Sequence, residues 1–123
     1  MPKTVAVIGA SSDRRKFGNK AFRAFRDQGH TVIPVNPNER VVEGTPTVPT
    51  LVDIPGTVDM VTVYVPPEIG VRIMDDVAKK GVKEVWLNPG ADGDQVIARA
   101  RALGIEPIIA CSMVGAGVNP HKY

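Results

Sequence analysis

The chain has 123 residues, which fits one domain, and 43% of them are hydrophobic, which is enough for an ordinary globular core. Lys and Arg total 15 against 13 for Asp and Glu, so the formal net charge of +2 is too small to predict a nucleic-acid partner. We therefore expect any anion-binding site to depend on local clusters of charge.

Cysteine usage and the N-terminal sequence bear on the cellular compartment. Cys111 is the only cysteine, so no intramolecular disulfide can form. The N-terminus leads into the apolar stretch 5–8 without the layout of a signal peptide, and no segment approaches the ~20 apolar residues of a membrane span. These observations predict a cytoplasmic protein with no membrane partner.

Strand and helix patterns alternate along the sequence. Short apolar or β-branched runs predict strands at 4–8, 31–35, 59–65, 84–87 and 105–110. Apolar residues at helical spacing predict helices at 17–28, 68–80 and 92–103. Pro34 has no amide hydrogen to donate and therefore favours an edge position for the second strand. Residues 41–57 are expected to form an irregular crossing, and the tail from Cys111 onward matches no interpretable motif.

This alternation predicts βαβ units with helices on both faces of a parallel sheet. The predicted fold is an α/β, three-layer Rossmann-like domain with a mostly parallel five-stranded sheet, spanning residues 1–123 as a single domain. In such sheets the ligand lies outside the carboxyl ends of the strands. The candidate site therefore consists of the loops that follow the strands, at 9–16, 36–37, 66–67, 88–90 and 111–112.

The loop after the first strand, residues 9–16 and here called the first loop, has the character of an anion site. It lies between a strand end and a helix start, where backbone amides point toward the same space. It also carries two hydroxyl groups and three consecutive positive charges, from Ser11, Ser12, Arg14, Arg15 and Lys16. Arginine can grip a phosphate through two hydrogen bonds. The alternative interpretation is an ordinary solvated run of charge.

Two tests for a dinucleotide ligand fail. The glycine-rich fingerprint would need glycine at positions 9, 11 and 14, which hold Gly9, Ser11 and Arg14. A carboxylate after the second strand would hold the ribose hydroxyls, and none occurs before Glu39. NAD is therefore disfavoured. A site with no carboxylate would not repel a phosphorylated ribose, such as the ribose of coenzyme A.

Five sequence marks resemble the family of small CoA-binding proteins, which are similar to the N-terminal domain of the succinyl-CoA synthetase alpha subunit. The marks are residues 7–11, 32–37, 58–67, 85–90 and Cys111, and the resemblance covers nearly the whole chain. Many members have a glutamine where Asn88 stands, which is one departure from the family pattern. The resemblance implies a small-molecule nucleotide ligand, with coenzyme A or an acyl-CoA as the cofactor.

The resemblance also implies a division of the site into three parts. Residues that would meet phosphate and ribose are Gly9, Ala10, Ser11, Ser12, Arg14, Arg15 and Lys16, with Asn36 and Pro37 on the nucleotide side. Residues that would pack on the adenine are Val65, Pro66 and Pro67. Residues toward the pantetheine end are Asn88, Pro89, Gly90 and Cys111. Asn36 could equally be a turn residue, since Asn-Pro favours turns.

The remaining side chains give little support for catalysis. His30 and His121 belong to none of the strand-end loops, so Cys111 has no base that could activate its thiol. Scattered histidines and one cysteine lack the spacing of a metal site. Trp86 is expected to pack within the sheet, and so is Tyr64, with contact to the ligand as the less favoured alternative for Tyr64. We therefore predict non-catalytic binding, with three alternatives: an NAD(P)-dependent oxidoreductase, an acyl-transfer enzyme, or an interaction protein whose pocket has lapsed. A homodimer is possible.

Overall fold

The computed structural model describes residues 2–123, which form a three-layer α/β fold around an all-parallel five-stranded sheet. The strands of the sheet are β1 (Thr4–Ile8), β2 (Thr31–Val35), β5 (Met60–Val63), β6 (Glu84–Leu87) and β7 (Ile108–Ile109), and a hairpin contains β3 (Val41–Val42) and β4 (Thr45–Pro46). The α-helices are α1 (Phe17–Asp27), α2 (Pro67–Lys80), α3 (Asp94–Ala102) and α4 (Ser112–Gly115). Single 3₁₀ turns are found at Leu51–Asp53 and Pro120–Lys122. The predicted fold class is confirmed.

The strand order is β2-β1-β5-β6-β7, so the chain leaves β1 toward one edge and later returns to its other side. This reversal places a topological switch point between β1 and β5, where ligands of open α/β sheets bind. The carboxyl ends of all five parallel strands, and therefore the loops that follow them, lie at one edge of the sheet.

The sheet buries both of its faces because consecutive strand residues point to opposite sides. Ala6 and Ile8 of β1 belong to one apolar cluster, which includes residues of α2 and α3. Val5 and Val7 belong to the other cluster, which includes Phe22 of α1 and Met113 of α4. A nearly continuous apolar strand such as β1 is the pattern expected for a parallel sheet covered on both faces.

Three element ends differ from the sequence prediction. The third strand of the sheet ends at Val63 rather than residue 65, and the Tyr64 amide bonds to the Ile8 carbonyl at 2.8 Å. The last strand shrinks to Ile108–Ile109, since the Ile105 amide is used to close α3. The helix predicted from residue 92 begins at Asp94.

Two further segments contain structure that the sequence prediction missed. The crossing after β2 contains the β3–β4 hairpin, and the tail contains α4 and a 3₁₀ turn. Pro34 does lie on an edge strand, as predicted. None of the helices within residues 2–123 is both long and apolar enough to span a membrane.

Candidate ligand site at the carboxyl ends of the strands

A cleft of about 1020 Å³ opens at the carboxyl ends of the strands, and all five strand-end loops contribute to it. Ten of the residues predicted from the sequence line it: Gly9, Ser11, Lys16, Asn36, Val65, Pro66, Asn88, Pro89, Gly90 and Cys111. Six others lie outside its lining: Ala10, Ser12, Arg14, Arg15, Pro37 and Pro67. The exposed lining is mainly apolar, which suits a ligand with a long uncharged portion.

Gly9 makes the sharp exit from β1 possible. Its φ angle of +86° lies in the left-handed region, and a β-carbon there would lie 2.9 Å from the Tyr64 carbonyl oxygen. Gly18, in the first turn of α1, lies on the other side of the same loop, where a β-carbon would be 2.4 Å from the Gly9 carbonyl oxygen. Gly18 thus permits the close helix–strand approach that the third glycine of a dinucleotide fingerprint provides. The fingerprint spacing does not reveal Gly18, because Gly18 lies four residues beyond position 14, where the third glycine of the fingerprint would stand.

The three basic residues of the first loop have different surroundings. Arg15 pairs with Asp13 at 3.0 Å, and the hydrogen bonds from Arg15 lower the pKa of the Asp13 carboxyl to about 2. Arg14 lies 3.4 Å from Glu43. Lys16 makes no salt bridge with any residue in the described range, and it lines the cleft. The charge available to a ligand at this loop therefore comes chiefly from Lys16.

Ala10 and Ser12, which the sequence also predicted for the site, do not line the cleft. Ala10 is completely buried beneath the loop, and its carbonyl accepts a hydrogen bond from the Asn36 side chain at 2.8 Å. Ser12 is exposed to solvent outside the cleft lining, and its backbone amide donates to the Glu39 carboxylate. Neither side chain contributes a polar group to the cleft wall.

The second loop, residues 36–39, is tied to the first. Asn36 donates to Ala10 and also accepts from the Asn38 amide at 2.8 Å, so it acts as a turn residue and lines the cleft as well. Pro37 is exposed and outside the lining. Asn38 and Glu39 line the cleft, although the sequence analysis placed no carboxylate there. That expectation is wrong because the loop folds back after Pro37 and brings Glu39 to the first loop.

The loop after β5, residues 64–66, forms an apolar wall of the cleft. Val65 and Pro66 line the cleft directly after β5. Pro67 is instead the first residue of α2, where a proline is well tolerated, and its ring faces Gly93 outside the cleft. Only one of the two prolines therefore meets the space in which a ligand would lie.

A buried polar network joins the strand ends below the cleft. The Asn88 amide group donates to the Thr62 hydroxyl at 2.7 Å and to the Val63 carbonyl at 2.9 Å. Its side-chain oxygen accepts from the Ser112 amide at 2.9 Å, at the start of α4. The Ser112 hydroxyl contacts Thr62 at 2.8 Å and the Tyr64 hydroxyl at 3.3 Å. Asn88 therefore fixes the turn that carries Cys111.

Tyr64 lies one residue beyond the strand end and lines the cleft, whereas the sequence analysis expected it to pack within the sheet. Burial raises the pKa of its phenol, an effect that the hydrogen bond with Ser112 partly offsets. Trp86 does pack inside, against the region of Gly115, and does not line the cleft.

Beyond Cys111, the tail forms a wall of the cleft that the sequence did not predict. Five of its residues line the cleft: Cys111, Val114, Asn119, Pro120 and His121. The tail is anchored on α1, where the Tyr123 hydroxyl donates to Asp27 at 2.7 Å and Arg23 bonds to the Tyr123 main chain at 3.1 Å. His121 thus shares the cleft with the free thiol of Cys111. His30 lies near the opposite edge of the sheet, where it accepts from the Lys3 amide.

Metal binding has no structural support in the described part of the chain. Within residues 2–123, no group of three or more His, Cys, Asp or Glu side chains could hold a metal ion.

The fold and the cleft together define an α/β domain of the Rossmann-like class, with its candidate site at the topological switch point. A family model described as a CoA binding domain matches residues 3–117, and the chain belongs to that family. The resemblance inferred from the sequence is thereby confirmed.

Individual relatives agree with this assignment. The alpha subunit of the ADP-forming acetate–CoA ligase II from Pyrococcus furiosus is 38% identical over 94 residues, which cover 76% of this chain and 21% of the relative. The chain therefore spans about a fifth of the length of that curated relative. A hypothetical protein from Pyrococcus horikoshii superposes with a TM-score of 0.87 at 27% identity, covering 94% of this chain and 82% of the other.

A larger solved structure contains the same fold. It is the dinucleotide-forming acetyl-coenzyme A synthetase 1 from Ca. Korarchaeum cryptofilum, in complex with phosphate and ADP. It superposes with a TM-score of 0.76 at 27% identity, over 89% of this chain and 26% of that chain.

Proposed function

We propose that this protein binds coenzyme A or an acyl-CoA in the cleft and does so without catalysing a reaction. The observation that carries the proposal is the cleft itself, which combines a loop for phosphate with a long, mainly apolar lining in a chain of the CoA-binding family. The first loop would bind the pyrophosphate of the ligand, and the apolar lining would contact its uncharged pantetheine arm. Cys111 as a free thiol fits the reducing cytoplasm as the compartment.

The proposed ligand position follows from the walls of the cleft. The pyrophosphate lies at the first loop, near the Ser11 hydroxyl and the ammonium group of Lys16. The adenine packs against Val65 and Pro66, whose rigid ring offers an apolar surface with little ordering cost. The pantetheine arm runs toward residues 88–90 and Cys111.

Calorimetry tests this proposal directly. The purified protein is titrated with CoA, acetyl-CoA, NAD, NADP, AMP and ADP, and CoA or acetyl-CoA should bind more tightly than NAD or NADP. Thermal unfolding provides a second readout, because a ligand at a hundredfold excess over its dissociation constant stabilises the folded state by about 2.7 kcal/mol. Binding of NAD in preference to CoA would favour the oxidoreductase alternative. Binding of none would favour an interaction protein with a lapsed pocket.

A second candidate function is acyl transfer to Cys111, which gains support because the tail brings His121 into the same cleft. An imidazole could remove the thiol proton, after which the thiolate would attack the thioester carbonyl and release CoA as the leaving thiolate. Intact-mass measurement after incubation with acetyl-CoA tests this step. An acetyl adduct that is lost in Cys111→Ser and slowed in His121→Ala would favour this function over simple binding.

A further inference from the structure

We propose that Glu39 is a specificity-determining residue that favours a nucleotide with free ribose hydroxyls and disfavours one with a phosphorylated ribose. The inference rests on the proposed function, since it concerns the nucleotide end of the same ligand. It predicts that dephospho-CoA, whose ribose carries both hydroxyls, fits the cleft better than CoA with its 3′-phosphate.

The position of the Glu39 side chain carries this inference. Glu39 lies four residues after the end of β2, lines the cleft, and accepts a hydrogen bond from the Ser12 backbone amide in the first loop. Its own carbonyl accepts from the Thr47 hydroxyl, which holds its main chain in place. The carboxylate is thus fixed where the loops after β1 and β2 meet. In Rossmann-type folds, a carboxylate after the second strand hydrogen-bonds the ribose hydroxyls.

The charges around Glu39 favour hydroxyl groups over phosphate at this point. The hydrogen bond from Ser12 lowers the pKa of the Glu39 carboxyl, and the charge of Lys16 adds to the effect, so the group is ionised at neutral pH. Arg14 and Arg15 are already paired with Glu43 and Asp13, respectively. Both arginines also lie outside the cleft lining, so neither guanidinium faces the point at which a second phosphate would meet Glu39.

Physical chemistry then separates the two ligands. An ionised carboxylate accepts hydrogen bonds, which ribose hydroxyls can donate and a phosphate dianion cannot. A phosphate at the same point would meet a like charge, and such juxtapositions are strongly unfavourable in a partly desolvated site. Lys16 lies near Glu39 as well, but in the proposed ligand position its ammonium group pairs with the pyrophosphate, which both ligands share.

The test compares CoA with dephospho-CoA by calorimetry on the whole chain. The wild-type protein should bind dephospho-CoA about tenfold more tightly than CoA, the scale of one unfavourable charge contact. Glu39→Gln should bring the ratio of the two dissociation constants close to one, mainly by tightening CoA. Glu39→Lys should favour CoA. Glu106→Gln removes the same charge from an exposed position outside the cleft lining and should leave the wild-type ratio unchanged.

The outcomes separate this inference from the proposed function. Equal affinity of the wild-type protein for both ligands, unchanged in Glu39→Gln, would overturn the role of Glu39 and leave CoA binding intact. Binding of dephospho-CoA but not CoA by the wild-type protein would support the role of Glu39 and exclude CoA as the ligand. Failure of every variant to bind either compound, with normal thermal unfolding, would overturn both proposals.

Discussion

The backbone of Gly18 in the first turn of α1 lies directly against the carbonyl of Gly9 at the end of β1, so that a β-carbon on Gly18 would be 2.4 Å from the Gly9 oxygen. This contact brings the start of α1 as close to the sheet as the backbone allows. Both glycines line the cleft, so the backbone forms part of its wall beside the first loop.

We expect Gly18→Ala to destabilise the protein by about 1–3 kcal/mol, because the added methyl group must displace backbone rather than a flexible side chain. The sign of this change in the free energy of unfolding is informative. Where a helical glycine has free space around it, alanine normally stabilises the protein by roughly 0.5–1 kcal/mol. Urea unfolding measures the change.

Gly93→Ala is the matched control for the Gly18 substitution. A β-carbon at Gly93 would make an ordinary contact of 3.4 Å with the Pro67 ring, but Gly93 is the N-cap of α3, where alanine is less favourable than glycine, so we expect a loss of only about 0.5–1 kcal/mol. If Gly18→Ala were as stable as the parent, the close approach of helix and strand could not be a constraint on this fold.

The second prediction concerns Asn88, which links β5 to the start of α4. Asn88→Ala removes three buried hydrogen bonds and leaves partner groups unsatisfied, which should cost about 1–3 kcal/mol in the free energy of unfolding. Chemical denaturation measures the loss. Asn38→Ala is the control, because Asn38 is an exposed asparagine of the cleft lining and should give a much smaller change. Similar losses in both variants would contradict a structural role for the network.

The third prediction separates the basic residues of the first loop. Lys16→Ala should weaken CoA binding by about 1.5–3 kcal/mol, as expected for loss of a hydrogen bond to a charged group. Arg15→Ala removes the same charge from a side chain that pairs with Asp13 outside the cleft lining, and should have a much smaller effect. Calorimetry on both variants decides the matter. A larger loss in Arg15→Ala would show that the ligand phosphates lie outside the cleft.

The fourth prediction is a mixed disulfide between Cys111 and CoA. Cys111 is a half-buried free thiol in the cleft wall at the end proposed for pantetheine. Its thiolate would attack one sulfur of CoA disulfide, forming the protein–CoA disulfide and releasing one CoA thiolate. Because a bound reagent is held near the thiol, the reaction should be at least about tenfold faster than with glutathione disulfide. Intact-mass measurements over time follow the adduct.

Two controls accompany the Cys111 experiment. Cys111→Ser should form no adduct, and an excess of AMP should slow the reaction with CoA disulfide but not with glutathione disulfide. If the two disulfides reacted at equal rates, the proposal that the pantetheine end of the ligand lies beside the Cys111 thiol would be wrong.

Much of the fold could be predicted because its elements depend on local patterns. The β-branched run of β1 and the helical spacing of α1 each appear within a dozen residues, and Gly9 marks the strand end unambiguously. The parallel order of elements then places the strand-end loops together, which is why ten of the sixteen predicted site residues line the cleft. Periodicity and the geometry of parallel sheets predicted the strand-end loops, and the family resemblance added Val65.

The sequence by itself therefore determined the α/β class, the family and the edge of the sheet where the cleft lies. Tertiary structure decided which side chains enter that cleft. Arg14 and Arg15 are bound by acidic partners, while Glu39 and His121 reach it through a folded-back loop and an anchored tail. The physical reason is that the Arg14–Glu43 pair, the folding back of the loop that carries Glu39 and the anchoring of the tail depend on contacts between residues far apart in sequence, which no local pattern encodes; only the Asp13–Arg15 pair is local.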